Sequence, residues 1–222
     1  MERLEKNFDR VAGIYDRLAQ LVFGKNLLNA RRAFLSLVPA GSQVLVMGGG
    51  SGGILPALST QMETGEILFI EASLRMIELA QVQSIAPGVR VRFLHGTEQD
   101  IPEDYGAQVI ISHFFLDLFP PTQLPVVWEK LAQHWKSPEG IWLLADFSQA
   151  EGWRYWPGKW VVWVMYRFFR WTCGIPASAL PDYLSLFSGE TFSLLGEKKY
   201  LHGLVRSYAW KSREIRRNSA HP

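Results

Sequence analysis

The chain predicts a doubly wound α/β domain, and three observations carry that prediction. Apolar strand-like runs alternate with helical periodicity from Gln43 to Phe147; the first run, QVLVM, empties directly into GGGSGG at residues 48–53; and an acid, Glu71, closes the second run. Alternation of this kind implies a mostly parallel sheet covered by helices on both faces. In such sheets ligands sit beyond the carboxyl ends of the strands, where a glycine turn lets main chain approach closely and a helix N-terminus presents free N–H groups.

The elements follow in order. Residues 1–40 form a helical preface, with Leu4, Phe8, Val11, Ile14, Tyr15, Leu18, Leu21 and Val22 at helical spacing; it precedes the core strands and is expected to act as a lid. QVLVM is the first strand, followed by a helix from about Gly53 to Met62. EILFI is the second, with a helix from about Ser73 to Ser84, and VRVRFL is the third. AQVIIS precedes a helix from about Thr122 to Trp135, and GIWLLADF is the fifth strand. Beyond it lies a Trp-rich insertion, residues 149–188, ending in a short helix around Ala177 to Leu186. TFSLLGEK and GLVRSYAWK, joined by KYLH, read as an antiparallel hairpin within residues 189–211. A basic tail, 212–222, completes a single seven-stranded domain whose ligand-binding core is residues 41–148.

Composition narrows the function classes. At 222 residues, 48% hydrophobic and 20% charged, the chain is expected to bury one sizeable core, which excludes disorder and a multispanning membrane protein. A net charge of +2 gives no reason to expect a nucleic-acid partner. The single cysteine, Cys173, permits no intrachain disulfide, and the five histidines have no paired spacing that would build a metal site. MERLEKNFDR lacks the apolar stretch of a secretory signal, so the expected location is the cytosol.

The glycines and the acid point to chemistry. Glu71 lies about 20 residues beyond the glycine turn, where a carboxylate accepts hydrogen bonds from ribose hydroxyls. Together they suggest an adenosine-containing ligand. Gly48, Gly50 and Gly53 also satisfy the G-x-G-x-x-G spacing of dinucleotide folds, so the pattern alone leaves a nicotinamide-dependent oxidoreductase open.

Four stretches separate these possibilities: FDRVAGIYD, VLVMGGGSGG, IEASLRMIELA and LLADFS. Through them the chain resembles class I S-adenosylmethionine (SAM) dependent methyltransferases, and more narrowly the ubiquinone/menaquinone C-methyltransferase family, over roughly residues 7–148. The resemblance implies SAM as cofactor and S-adenosylhomocysteine (SAH) as product. It implies that Gly48, Gly50, Ser51 and Gly52 line the methionine and ribose portions, that Glu71 holds the ribose, and that Thr97, Glu98 and Ser112 belong to the same site. Val46 stands where the family has an Asp that braces the glycine loop and meets the cofactor's charged end. SAM binding is therefore expected to be weakened by about 1.5 to 3 kcal/mol, the worth of one charge-assisted hydrogen bond. Thr97 stands in place of the usual Asp or Asn, and Leu116 and Asp117 replace an Arg and Asn pair of the quinone enzymes.

Methyl transfer needs alignment and, for many acceptors, removal of a proton. His113, one residue past the expected end of the fourth strand, is the leading base, with Asp146 and His202 as weaker candidates; for Asp117 a cap on the helix that follows is the alternative. Tyr15 in the lid is a second catalytic candidate. The stretch WRYWPGKWVVWVMYRFFRWTCG, residues 153–174, sets Lys159, Arg167 and Arg170 beside aromatic residues. Three readings stand: a cover over an apolar acceptor, a peripheral membrane anchor, and a helix buried against its own core or a second subunit. The expected function is methyl transfer to a hydrophobic small molecule, quinone-like or lipid-derived. The alternatives are an NAD-dependent oxidoreductase and a SAM-binding protein without catalysis.

Overall fold

Strand formation follows the apolar runs. The computed structural model describes residues 25–135, 140–148, 182–188 and 191–212. Seven strands, β1 (Gln43–Met47), β2 (Gly65–Glu71), β3 (Val89–His95), β4 (Val109–His113), β5 (Ile141–Phe147), β6 (Phe192–Tyr200) and β7 (Val205–Ser212), form one sheet in the order β3-β2-β1-β4-β5-β7-β6. The five strands β1–β5 pair in parallel, and β7 enters antiparallel between β5 and β6. The order reverses at β1, which lies between β2 and β4, and this reversal opens a crevice beyond the strand ends.

Strand alternation sorts the core onto two faces. On one face Leu45, Met47, Leu68, Ile70, Ile110, Trp142 and Leu144 pack with Leu124, Val127 and Leu131 of a helix spanning Leu124–Ala132. On the other, Val44, Val46, Ile67, Phe69, Val109, Ile111 and Leu143 meet Leu55, Leu58 and Met62 of a helix spanning Leu55–Met62, together with Leu35 and Val38. The helices are numbered α1 (Lys25–Arg32), α2 (Leu55–Met62), α3 (Leu74–Gln81) and α4 (Leu124–Ala132). Pro56 and Pro125 stand in the first turns of α2 and α4, where proline's missing N–H costs no helical bond. Ser73 caps α3, its hydroxyl accepting from the Met76 N–H at 3.3 Å.

The helices are shorter than the periodicity implies. The preface reads as helix to residue 40, but α1 stops at Arg32, and a single 3-10 turn at Leu35–Leu37 leads towards β1. The segment near Ala177–Leu186 contributes a 3-10 turn, Tyr183–Phe187. Helix α1 lies on the hairpin: the Ser207 hydroxyl donates to the Ala30 carbonyl at 2.8 Å, and Leu27 and Ala30 join Ala145, Phe147, Leu204 and Val205 in a small third cluster. Tyr15, most of the preface, residues 153–174 and residues 213–222 of the basic tail lie outside the described residues. Among the described residues no helix is long and apolar enough to cross a membrane.

Candidate active site

The glycine turn connects β1 to α2. Gly48, Gly50 and Gly52 adopt φ of 63°, 58° and 74°, a region where a Cβ is sterically disfavoured. Their surroundings differ. A Cβ on Gly52 would lie 2.8 Å from the Ala80 Cβ and 2.9 Å from its Cα, so this glycine lets α3 approach the turn. A Cβ on Gly48 would meet the Phe115 ring at 2.6 Å. At Gly50 and Gly53 nothing stands within 4 Å of that position. The turn is thus packed at its two flanks and bare at Gly50.

Glu71 supplies the brace that Val46 cannot. Its carboxylate accepts from the Gly50 N–H at 2.8 Å and from the Ser73 N–H at 3.0 Å, tying β2, the glycine turn and the start of α3 together. The Gly48 N–H donates to the Ile70 carbonyl at 3.0 Å, and the Gln83 amide donates to the Ser51 carbonyl at 3.1 Å. Val46 is buried among Ile54, Leu55 and Phe69 on the α2 face. The Glu71 side chain is buried rather than turned to solvent. Gln83 and Ser73 also hold the turn, and the sequence reading does not single them out. Only the Ser73 cap has a local signal, and the reach of Gln83 back to Ser51 depends on how α3 docks.

Other expected cofactor residues occupy specific places. Thr97 caps a 3-10 turn at Glu98–Asp100: its hydroxyl accepts from the Gln99 N–H at 3.3 Å and its own N–H donates to Asp100 Oδ2 at 2.8 Å. Glu98 is half-buried beside it. Ser112 is different. Its side chain is fully buried and its hydroxyl accepts from the Trp142 indole N–H at 2.8 Å.

The exit of β4 carries a strained residue. Phe114 has φ of 55°, sparsely populated for a non-glycine residue; its N–H donates to the Ala145 carbonyl at 2.7 Å, and the Arg31 guanidinium lies 5.3 Å from its ring centroid. His113, the last residue of β4, has its pKa pushed down to about 3, first by burial and then by the Arg31 charge. It is neutral at pH 7 and a weaker base than an ordinary imidazole. His202 is exposed in the turn between β6 and β7.

Asp117 and Asp146 present the opposite situation. Asp117 lies in a 3-10 turn, Leu116–Leu118, rather than capping a helix, and Asp146 is the penultimate residue of β5. Both are buried, Asp146 completely. Burial raises the Asp117 pKa to about 6 and drives that of Asp146 well above the carboxylate range, the charge of Asp117 adding to the latter. By strand alternation Asp146 shares the face of Trp142 and Leu144, the face that holds Tyr183, Phe187 and Tyr208. His113 and Ile111 share the other. The local pattern suggests a cap at Asp117 because its neighbour across the sheet comes from a strand about 30 residues away, a contact that no short stretch of sequence encodes.

Residues 44–138 match the family model of a methyltransferase domain, Methyltransf_25. The match runs from β1 past α4, and the chain has the Rossmann-like methyltransferase fold. Among solved structures the chain is similar to the plantazolicin methyltransferase BpumL in complex with SAH (13% identity, TM-score 0.62, covering 95% of this chain and 96% of that one). It is similar to DhpI in its SAH complex (13%, 0.61, 96% and 97%). It is also similar to the mitomycin 7-O-methyltransferase MmcR (16%, 0.61, 85% of this chain), of whose length it spans about half, 54%. No curated protein sequence matches the chain.

Proposed function

We propose that the chain is a SAM-dependent methyltransferase acting on a hydrophobic small molecule. The observation that carries the reading is the bare main chain at Gly50, with open space where a Cβ would stand and its N–H held by the Glu71 carboxylate. Such a cradle fits a nucleoside with an amino-acid tail, and a buried carboxylate suits ribose hydroxyls because it accepts at about four lone-pair positions. Two of the similar structures carry SAH, which supports the same ligand here.

SAM, when bound, supplies a methyl group on a positively charged sulfur. What the chain supplies is alignment. Gly48 and Gly50 would hold the methionine and ribose portions through main chain, Glu71 the ribose, and Thr97 and Glu98 the far side. Phe115 packs on Gly48 and forms a wall between the glycine turn and the β4 exit. Holding the reacting atoms in line supplies much of the rate in such a displacement.

The acceptor class rests on the aromatic surroundings and on the Trp-rich stretch at residues 153–174, read as a cover that also permits peripheral membrane contact. A quinone-like ring is the narrower reading, motivated by the likeness to the quinone C-methyltransferases. Calorimetry with SAM, SAH and NAD tests the function: SAM and SAH bind with a Kd below about 1 mM. Binding of NAD in their place overturns the reading. Labelled SAM incubated with a lipid extract should then leave label in the organic phase; its absence favours a binder without turnover.

A further inference from the structure

Among the described residues, both carboxyl oxygens of Asp146 and Oδ1 of Asp117 are buried with no hydrogen bond of ordinary geometry; the polar groups nearest to Asp146 are the Asp117 carboxyl and the main chain of Leu116 and Asp117. An unpartnered buried carboxyl is costly, and such groups are rare in folded proteins unless water, an ion or a ligand completes them. No group of metal-binding side chains occurs among the described residues. The location is also informative. Asp117 is two residues beyond Phe115, which touches the glycine turn at Gly48, and Asp146 is the penultimate residue of the adjacent strand. The pair therefore stands at the carboxyl ends of β4 and β5, beside the cradle.

We propose that Asp117 and Asp146 form a proton-sharing carboxyl pair that receives the hydroxyl group of an apolar acceptor, with Asp117 taking its proton. This rests on the methyltransferase reading and names the acceptor's chemistry. The acceptor's O–H bond breaks with its electron pair left on oxygen, a new O–H bond forms on the Asp117 carboxylate, and the oxygen becomes the nucleophile. Asp146 keeps its own proton and donates a hydrogen bond to the Asp117 carboxylate.

Two buried carboxyls whose environments push them apart in acidity divide the roles of acid and base. Asp117, titrating near pH 6, is mostly ionised at neutral pH and still basic enough to accept a proton. The other titratable groups around the pair, among the described residues, do not neutralise it. The Tyr183 hydroxyl donates to the Phe147 carbonyl at 2.9 Å, and burial holds Tyr183 and Tyr208 protonated. Arg206 pairs with Glu197 at 3.1 Å. His113 and Arg31 belong to the opposite face. Tyr183, Phe187 and Trp142 give the same region an apolar, aromatic wall.

The test uses the full chain and two probes that differ only in the proton, 2-naphthol and 2-methoxynaphthalene, with and without SAH. Wild type should bind the naphthol about ten- to a hundredfold more tightly than its methyl ether, and D117N should abolish that preference. Infrared spectra at pH 7 should contain the carbonyl stretch of a protonated carboxyl that D146N removes. Equal binding of the two probes by wild type, no binding of the naphthol, or absence of the carboxyl band overturns the proposal; a water-filled site would give equal binding. If the naphthol preference holds but SAH does not bind, the methyl-transfer reading fails and the pair stands. If SAH binds and the preference is missing, the pair fails and the methyl-transfer reading stands.

Discussion

Replacing Glu71 by Gln separates bracing from ligand recognition. The carboxylate accepts from two main-chain donors, Gly50 N–H at 2.8 Å and Ser73 N–H at 3.0 Å. A Gln side chain of the same shape has one oxygen and one NH2 group, so it can serve one donor while its NH2 opposes the other. The half-buried Gly50 can turn to water; Ser73 is only 1% exposed and cannot. The amide oxygen is therefore expected to stay with Ser73, and the Gly50 bond is lost. A hydrogen bond to a charged group contributes about 1.5–3 kcal/mol, which sets the expected fall in unfolding free energy, read from urea denaturation. In the proposed function the same charge receives the ribose hydroxyls, so SAH affinity should fall about ten- to a hundredfold in calorimetry. E71Q that loses stability while binding SAH as tightly as wild type would refute the ribose role and leave Glu71 as a brace alone.

Other substitutions probe the neighbouring contacts. S112A should lower stability by about 1–3 kcal/mol, because the buried Trp142 indole N–H loses its acceptor, and should leave the SAH Kd unchanged; a weakened Kd would return this hydroxyl to the cofactor site. G52A should destabilise strongly, since its Cβ meets Ala80 main chain at 2.9 Å, whereas G53A, in open space, should change stability by about 1 kcal/mol or less but reduce SAH binding if this face lines the cradle. For pH, Asp117 has its folded pKa raised to about 6 from an ordinary 3.8. Its stabilising contribution is complete below the unfolded value and is lost as pH rises through about 6. Between pH 4 and pH 7 wild type should therefore lose about 2 kcal/mol relative to D117N, measured by chemical denaturation at each pH; a constant difference would contradict the raised pKa.

The order of elements and the glycine turn are legible from the sequence because both are local patterns. A run such as QVLVM is apolar over a strand's length and can satisfy its main chain only in a sheet; glycines at 48, 50 and 52 take positive φ at little cost. Glu71 at the end of β2 follows from the regular length of a βαβ unit. Helix ends are less legible, since capping and packing decide them: α3 ends at Gln81 and α4 at Ala132, inside the periodic stretches.

Tertiary structure decides what each polar side chain faces. His113 has the position of a base at a strand end, but its ring lies on the α1 face, where burial and Arg31 keep it neutral. Ser112 is bonded to Trp142 across neighbouring strands, and Val46 is absorbed into the core while Glu71 braces the turn in its place. Asp117 and Asp146 become a pair only because β4 and β5 are adjacent and parallel. Local sequence sets main-chain conformation through sterics and periodicity; the charge state and partners of a buried group depend on desolvation and on residues distant in the chain, and only the assembled sheet brings those together.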